Sequence, residues 1–139
     1  MYKLTTLLIL ISFQVPLYSA LSTTIIKSCY DGDTCTAVDG EKIRLACIDT
    51  PELKGKNANK IPAEEARDFL NQLVANKKVS IKRMTKDRYG RTVAEIYKDG
   101  TNIQELIVNK GYGKIYKRYS YQCEWAKWKG IYFTVIYKF

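Results

Sequence analysis

Between Thr23 and Ile48 the chain presents three β-strand patterns in a row, with no helix between them. "TTIIKSCY" (Thr23–Tyr30) is rich in β-branched residues, whose stiff side chains suit a pleated surface. "TCTAV" (Thr34–Val38) and "EKIRLACI" (Glu41–Ile48) flank Asp39-Gly40, which predicts a two-residue hairpin. In the third segment Ile43, Leu45 and Cys47 alternate to one face, with Arg44 on the other. That strand runs directly into two acids, Asp49 and Glu52, on either side of Thr50-Pro51.

A basic loop, "ELKGKNANK", follows. "IPAEEARDFLNQLVANKK" then reads as a helix, with Pro62 suited to its first turn and Glu64 and Glu65 placed to complement the dipole. Ala66, Phe69, Leu70 and Leu73 fall at helical spacing. "VSIKRMT" (Val79–Thr85) and "TVAEIY" (Thr92–Tyr97) predict two more strands joined through "KDRYGR". "NIQELIVNKG" predicts a second helix, with Asn102 and Glu105 spaced as a capping box and Gly111 as its stop. The order β-β-β-α-β-β-α fits an α+β domain built on a five-stranded Greek-key barrel of the OB type with two or three helices; the pattern alone leaves other α+β folds open.

With 139 residues, 46% of them apolar, the chain can bury one real core. Its formal charge of +9 points to an anionic partner, a nucleic acid or a membrane surface. It contains no histidine, which excludes Ser-His-Asp hydrolysis, His-dependent nuclease chemistry and His-ligated zinc. The N-terminus, "MYKLTTLLILISFQVPLYSALSTT", has one early lysine, an apolar run from Leu7 to Phe13, Pro16 and then small residues. This layout predicts a signal peptide over residues 1–22, cut after Ala20 or Ser22, and a domain over 23–139. The expected location is secreted, periplasmic or in the cell envelope; the alternative is a retained membrane anchor. Cys29, Cys35, Cys47 and Cys123 all follow the cut. An even count in an exported chain predicts disulfides, with three connectivities open, against the alternative of buried free thiols.

Taken singly, the polar residues of the middle segments have plain structural roles. Asp33 suits a turn in "YDGDT", Asp49 and Glu52 suit loop caps, Arg44 suits a surface pair with Glu41 or Asp39, and Arg91 follows the Tyr89-Gly90 turn. Taken together, "YDGDT", "IRLACIDTPE", "DRYGR", "IYKDG" and "LIVNKGYGKIY" occur in the order and at roughly the spacings of the staphylococcal (micrococcal) nuclease family. The chain resembles that family over about residues 24 to 119. The resemblance implies an OB-fold barrel that hydrolyses DNA and RNA with calcium (Ca2+). It further implies that Asp33, Asp49 and the carbonyl of Thr50 hold the cation and that Glu52 activates or orients water. By the same resemblance Arg44 and Arg91 hold the scissile phosphate, and Arg88 and Tyr89 contact the nucleotide.

The chemistry agrees with those residue types. Phosphodiester hydrolysis needs a positioned water, charge neutralisation at phosphorus and help for the leaving oxygen. Calcium takes oxygen ligands and retains waters. Arginine offers a phosphate a planar, permanently charged fork. Pro51 fixes the backbone between the two acids, so that they can aim at different targets.

"GKIYKRYSY" interleaves Lys114, Lys117 and Arg118 with Tyr116, Tyr119 and Tyr121. That mixture suits single-stranded or unpaired nucleic acid, with Lys114, Tyr116, Lys117 and Tyr119 as substrate contacts; the alternative is a solvated edge strand. In the family, a tyrosine falls where Lys117 stands. The family also continues into a polar closing helix, whereas this chain ends "CEWAKWKGIYFTVIYKF". "CEWAKWK" has the composition to start a helix, and Ile131–Tyr137 reads as strand or extended arm. The expected molecule is an exported, monomeric nuclease without a stable protein partner. Its rival is a catalytically inactive OB-fold module that binds single strands, which would have no use for Glu52.

Overall fold

A computed structural model describes residues 21–127. Residues 1–20 of the expected signal segment and the expected extended tail at 131–137 lie outside the described residues. Strands β1 (Ser22–Cys29), β2 (Thr34–Ala37) and β3 (Lys42–Leu45) pair antiparallel in sequence order. After helix α1 (Lys60–Val74), β5 (Lys78–Lys86) returns to pair with β1, and β6 (Thr92–Lys98) pairs with β5. The ring closes where β3 and β6 run parallel, with Ile43 opposite Thr92 and Arg44 opposite Val93. Five strands in the circuit β1-β2-β3-β6-β5 make the barrel, with the helices outside it. Its core is aliphatic: Ile26, Ile43, Leu45, Ile81 and Ile96 from the strands, Leu70 and Val74 from α1, and Ile107 from α2 (Ile103–Asn109).

Two short ladders complete the fold. β4 (Ile48–Asp49) pairs with β8 (Lys114–Ile115), and β7 (Thr101–Asn102) pairs with the end of β6. A 3-10 turn over Lys117–Gln122 follows β8, and residues 124–127 are helical. "GKIYKRYSY" is therefore a two-residue bridge and a tight turn, not the edge strand of the alternative reading.

Three local expectations need correction. The segment Glu41–Ile48 is not one strand. It stops at Leu45 because Cys47 takes a left-handed backbone (φ 65°) and is tied by its sulfur to Cys123, so the chain turns and restarts as β4. The β2–β3 hairpin has three residues in its loop: Ala37 accepts from the Gly40 N–H and donates to the Glu41 carbonyl, with Gly40 at φ 90° forming a bulge. Helix α1 starts at Lys60, which leaves Glu64 and Glu65 beyond the first turn. Helix α2 follows its sequence signals. Asn102 accepts from the Glu105 N–H, and Gly111 (φ 79°) ends the helix, with the Tyr112 N–H reaching back to the Ile107 carbonyl.

Candidate active site

The D-G-D-T turn between β1 and β2 is closed by the Tyr30 N–H donating to the Thr34 carbonyl at 2.8 Å. Within it Asp31 accepts from the Asp33 N–H, which folds both acids inward, and both are buried. Glycine is required between them because the turn presses on α1. A Cβ at Gly32 would lie 2.7 Å from the Ala66 Cβ and 2.9 Å from the Thr50 Cβ. Asp33 Oδ2 accepts from the Thr50 N–H (3.1 Å) and hydroxyl (3.0 Å) and faces the Arg44 guanidinium at 3.2 Å, while Oδ1 accepts from the Thr34 hydroxyl. Burial drives the Asp33 carboxyl up to about 6. The charge of Arg44 and the hydrogen bonds from Thr50 oppose the shift, and the neighbouring Asp31 adds to it.

Arg44 rises from β3, where its neighbours Ile43 and Leu45 point into the core. Its guanidinium donates to the carbonyls of Leu45 (2.6 Å) and Ile48 (2.9 Å). It thus bonds the turn that carries the chain from β3 to β4, in addition to neutralising Asp33. The alternative pairing of Arg44 with Glu41 or Asp39 does not occur, because Arg83 takes the Glu41 carboxylate in a two-pronged pair. Arg44 keeps about two of its five N–H groups free of these contacts.

Arg91 stands across the parallel seam, one residue before Thr92, which pairs with Ile43. Asp87 sets its position: the Arg91 N–H donates to Asp87 Oδ1 (3.0 Å) and its Nε to Oδ2 (2.7 Å), and the Tyr89 N–H donates to Oδ1. Burial pushes the Asp87 carboxyl up, but these bonds outweigh it and hold the group below its usual range. Arg88 and Arg91 lie 4.7 and 5.4 Å from the Tyr89 ring centroid.

These residues share one groove of about 820 Å³ with Asp49, Glu52, Tyr116 and Tyr119. Glu52 is exposed, and its side chain has no hydrogen bond or ion pair among the described residues. Asp49 is partly exposed and faces Lys114 at 3.4 Å. Thr50 and Lys114 line a second groove of about 590 Å³, which also takes in Asp49 and Glu52. Lys117 lines neither groove; its neighbour Arg118 lines the larger one, together with Gln122.

Sequence reasoning therefore missed Asp31, Asp87, Arg118 and Gln122 as groove residues. The signal for Asp31 was present, as the first acid of the same D-G-D-T turn. The signal for Asp87 was its place at the head of "DRYGR". For Arg118 no periodicity was available, because a 3-10 turn decides which of two adjacent cations faces inward.

The donor set suits a hard cation. Asp33 is a buried carboxylate whose charge is poorly solvated; the Asp49 carboxylate lines the same groove, and Thr50 lines the adjoining one. No cluster of three or more acids or cysteines converges as a metal site among the described residues. Two carboxylates plus a carbonyl would thus leave the remaining positions of a bound calcium to water.

Residues 42–128 match the family described as staphylococcal nuclease homologue. The chain is 39% identical over 89 residues to the staphylococcal-like nuclease CAN1 of Arabidopsis thaliana, covering 63% of this chain and 26% of that protein. It is 32% identical over 117 residues to an uncharacterized endonuclease of Escherichia coli O157:H7, covering 81% of this chain and 73% of that one. An uncharacterized endonuclease of Haemophilus influenzae is 37% identical over 95 residues, with 66% and 51% covered. The chain thus spans about a quarter of the plant relative, half of the Haemophilus one and most of the Escherichia one. With a closed five-stranded barrel, an ordered set of motifs and a family match over most of the described residues, the chain belongs to the staphylococcal nuclease homologue family.

Proposed function

We propose that this chain is an exported, calcium-dependent nuclease, active as a monomer. It hydrolyses phosphodiester bonds of DNA and RNA with little sequence specificity and prefers single-stranded or unpaired segments. The observation that carries this reading is the convergence of Arg44, Glu52 and Arg91 with Asp33 and Asp49 in one groove, from three separate stretches of chain: the D-G-D-T turn, the segment from Arg44 to Glu52, and the turn that ends at Arg91. A binder of nucleic acid gains nothing from the acid at Glu52, which adds negative charge beside a phosphate.

In this reading Arg44 and Arg91 donate to the non-bridging oxygens of the phosphate, with their remaining N–H groups fixed by Asp33, Asp87 and backbone carbonyls. Preorganised donors of this kind need little rearrangement as charge builds up at phosphorus. Glu52, open to solvent, takes the proton of a water as its oxygen bonds to phosphorus. The bond from phosphorus to the leaving oxygen then breaks, and that oxygen is protonated from solvent. Calcium, held by Asp33, Asp49 and the Thr50 carbonyl, would supply positive charge opposite the phosphate and offset the acids of the groove.

Export is supported by the leader-like N-terminus and by the pairing of all four cysteines into two disulfides. The first strand includes Ser22, whose hydroxyl donates to the Ile81 carbonyl and accepts from Arg83, so a cut after Ala20 preserves contacts that a cut after Ser22 removes. Preference for unpaired strands is supported by the tyrosines and arginines of the groove, which offer stacking surfaces that a base inside a duplex cannot reach.

The test is degradation of single-stranded DNA, duplex DNA and RNA by the purified protein, with calcium and with excess chelator. Cleavage that requires calcium and is fastest on single strands is the expected result. Cleavage undiminished by chelator would overturn the calcium assignment, and tight binding without any cleavage would overturn the nuclease reading.

A further inference from the structure

Each disulfide anchors a stretch that lines the groove: Cys47 lines it directly, and Asp31, Asp33 and Thr34 lie between Cys29 and Cys35. Cys29–Cys35 closes a ring around Tyr30–Thr34, the stretch that holds Asp31 and Asp33. Cys47–Cys123 runs from the turn between Arg44 and Asp49 to the end of the 117–122 turn, which presents Arg118, Tyr119 and Gln122 to the groove. All four cysteines are buried. Cys29 and Cys35 also belong to the aliphatic core that Leu70, Ile81 and Ile107 share, so the first cross-link ties the turn to the packed interior.

We infer that the two disulfides are positioning devices with separate tasks: Cys29–Cys35 sets the carboxylate turn and hence the grip on the cation, whereas Cys47–Cys123 sets the Arg118–Tyr119 wall and hence the grip on the nucleic acid. The second task rests on the nuclease reading; the first is measurable without it.

The carboxylate turn needs restraint because its contents repel. Asp31 and Asp33 are two residues apart and both buried, so two like charges share one small turn. The β1–β2 ladder that would otherwise hold them has a register break between Ile26 and Ser28, just before the turn. Beyond that break only Ser28–Thr36 and the Cys29–Cys35 pair remain in register. The cross-link sits on the last of these, at the mouth of the turn. On its other side Cys29 is bracketed by Asn71 of α1, which accepts from its N–H at 2.8 Å and donates to its carbonyl at 3.0 Å. The acids are thus fixed relative to both sheet and helix. A cation site made of few protein ligands depends on such fixing, since each ligand that must be ordered on binding weakens it.

The substrate wall needs restraint for a different reason. The 117–122 turn buries none of its own residues. At its start it is held by the two-residue β4–β8 ladder and by the Tyr116 N–H on the Cys47 carbonyl (2.9 Å). At its end it is held by Cys123. The turn carries a second cation–ring pair in the same groove as Arg88–Tyr89: Arg118 lies 5.5 Å from the Tyr119 centroid, and Tyr116 meets Tyr119 edge-on at 5.2 Å. Arg118 is exposed and has no acidic partner among the described residues, so its charge is available to a phosphate.

The experiment uses the full protein made in an oxidising compartment and two double variants, Cys29→Ala/Cys35→Ala and Cys47→Ala/Cys123→Ala. All are assayed well below their melting temperatures. Calcium affinity is read by titration calorimetry with calcium alone. Substrate grip is read as KM for a single-stranded oligonucleotide at saturating calcium, and as its Kd in chelator. The first variant should bind calcium roughly 10-fold more weakly, with KM within about 2-fold of the parent. The second should raise KM and Kd roughly 10-fold and leave calcium affinity unchanged.

Two milder variants with both cross-links intact guard against loss of folding. Asn71→Ala should move calcium affinity alone, and Arg118→Ala should move KM and Kd alone. If the double variants lower only the melting temperature, or shift both constants together, the division of tasks is wrong. If the parent protein binds calcium and oligonucleotide but cleaves nothing, the nuclease reading fails, while the two binding measurements still decide the inference.

Discussion

Asp33 and Glu52 face the same groove from opposite environments. Asp33 is 4% exposed and touches Thr34, Arg44 and Thr50. Glu52 is exposed, and no side-chain partner holds it among the described residues. A carboxylate that must stay in one place is buried and surrounded by donors, at the cost of desolvation. A carboxylate that must exchange protons with water sits at the edge, open to solvent. In the proposed mechanism, the contrast between fixed acid and free acid separates residues that build the site from residues that react in it.

The sharpest way to break that contrast is Glu52→Gln. Turnover should fall about 10²- to 10⁴-fold, the range typical of a lost general base, with melting temperature unchanged, because no contact among the described residues leans on the Glu52 side chain. A loss of stability alongside the loss of rate would show that Glu52 is a structural acid after all. Arg44→Lys belongs to both sides of the comparison. It should cost roughly 10²-fold in rate, comparable to removing a preorganised donor at an anionic transition state. It should also lower the melting temperature, since a lysine cannot reach the Leu45 and Ile48 carbonyls and Asp33 together. A variant that is slow but fully stable would remove the structural half of that role.

Gly32→Ala probes the fixed acid through its scaffold. The added methyl collides with Ala66 and Thr50, so unfolding free energy should drop by about 1–3 kcal/mol. Calcium affinity should weaken as Asp33 shifts. Denaturant melts and calorimetry on the same sample would test both, and an unchanged melt would show that the turn is not clamped against α1.

The smallest expected effect is the pH dependence of the metal-free protein. Burial raises the folded-state carboxyl of Asp33 to about 6, from an ordinary value of 3.8. Between those values the folded state holds more protons than the unfolded one. Its stability therefore falls as pH rises from about 4 to 6 and recovers on acidification across the same window. Thermal melts in chelator at pH 7 and pH 5, with and without Asp33→Asn, would isolate this contribution. A parent and variant that track each other across the window would place the strain elsewhere.

The sequence made the barrel legible where its elements are long. Five strands and two helices follow from alternation, helical spacing, the Asn102 cap and the Gly111 stop. The ladders Ile48–Asp49 and Lys114–Ile115 were not legible, because two residues carry no period. The break after Leu45 was hidden for a similar reason: "EKIRLACI" alternates well enough to pass for one strand, and only the tether at Cys47 shows where it must turn. At the site, the catalytic candidates were visible as an ordered set of motifs but not from any one of them. Arg118 was overlooked in favour of Lys117 because the direction of a side chain on a 3-10 turn depends on what anchors both its ends.

The parallel seam between β3 and β6 has a temporal consequence. Arg44 and Arg91 lie on or beside strands that meet only when the barrel closes, and that contact joins residues far apart in the chain. Contacts of such long sequence separation are costly to form early, since a large loop must first be ordered. A chain emerging from synthesis unfolded would carry every candidate site residue and still lack the proposed phosphate clamp. Activity would switch on with the last step of closure, which makes cleavage of a fluorogenic oligonucleotide a stopwatch for the completion of folding.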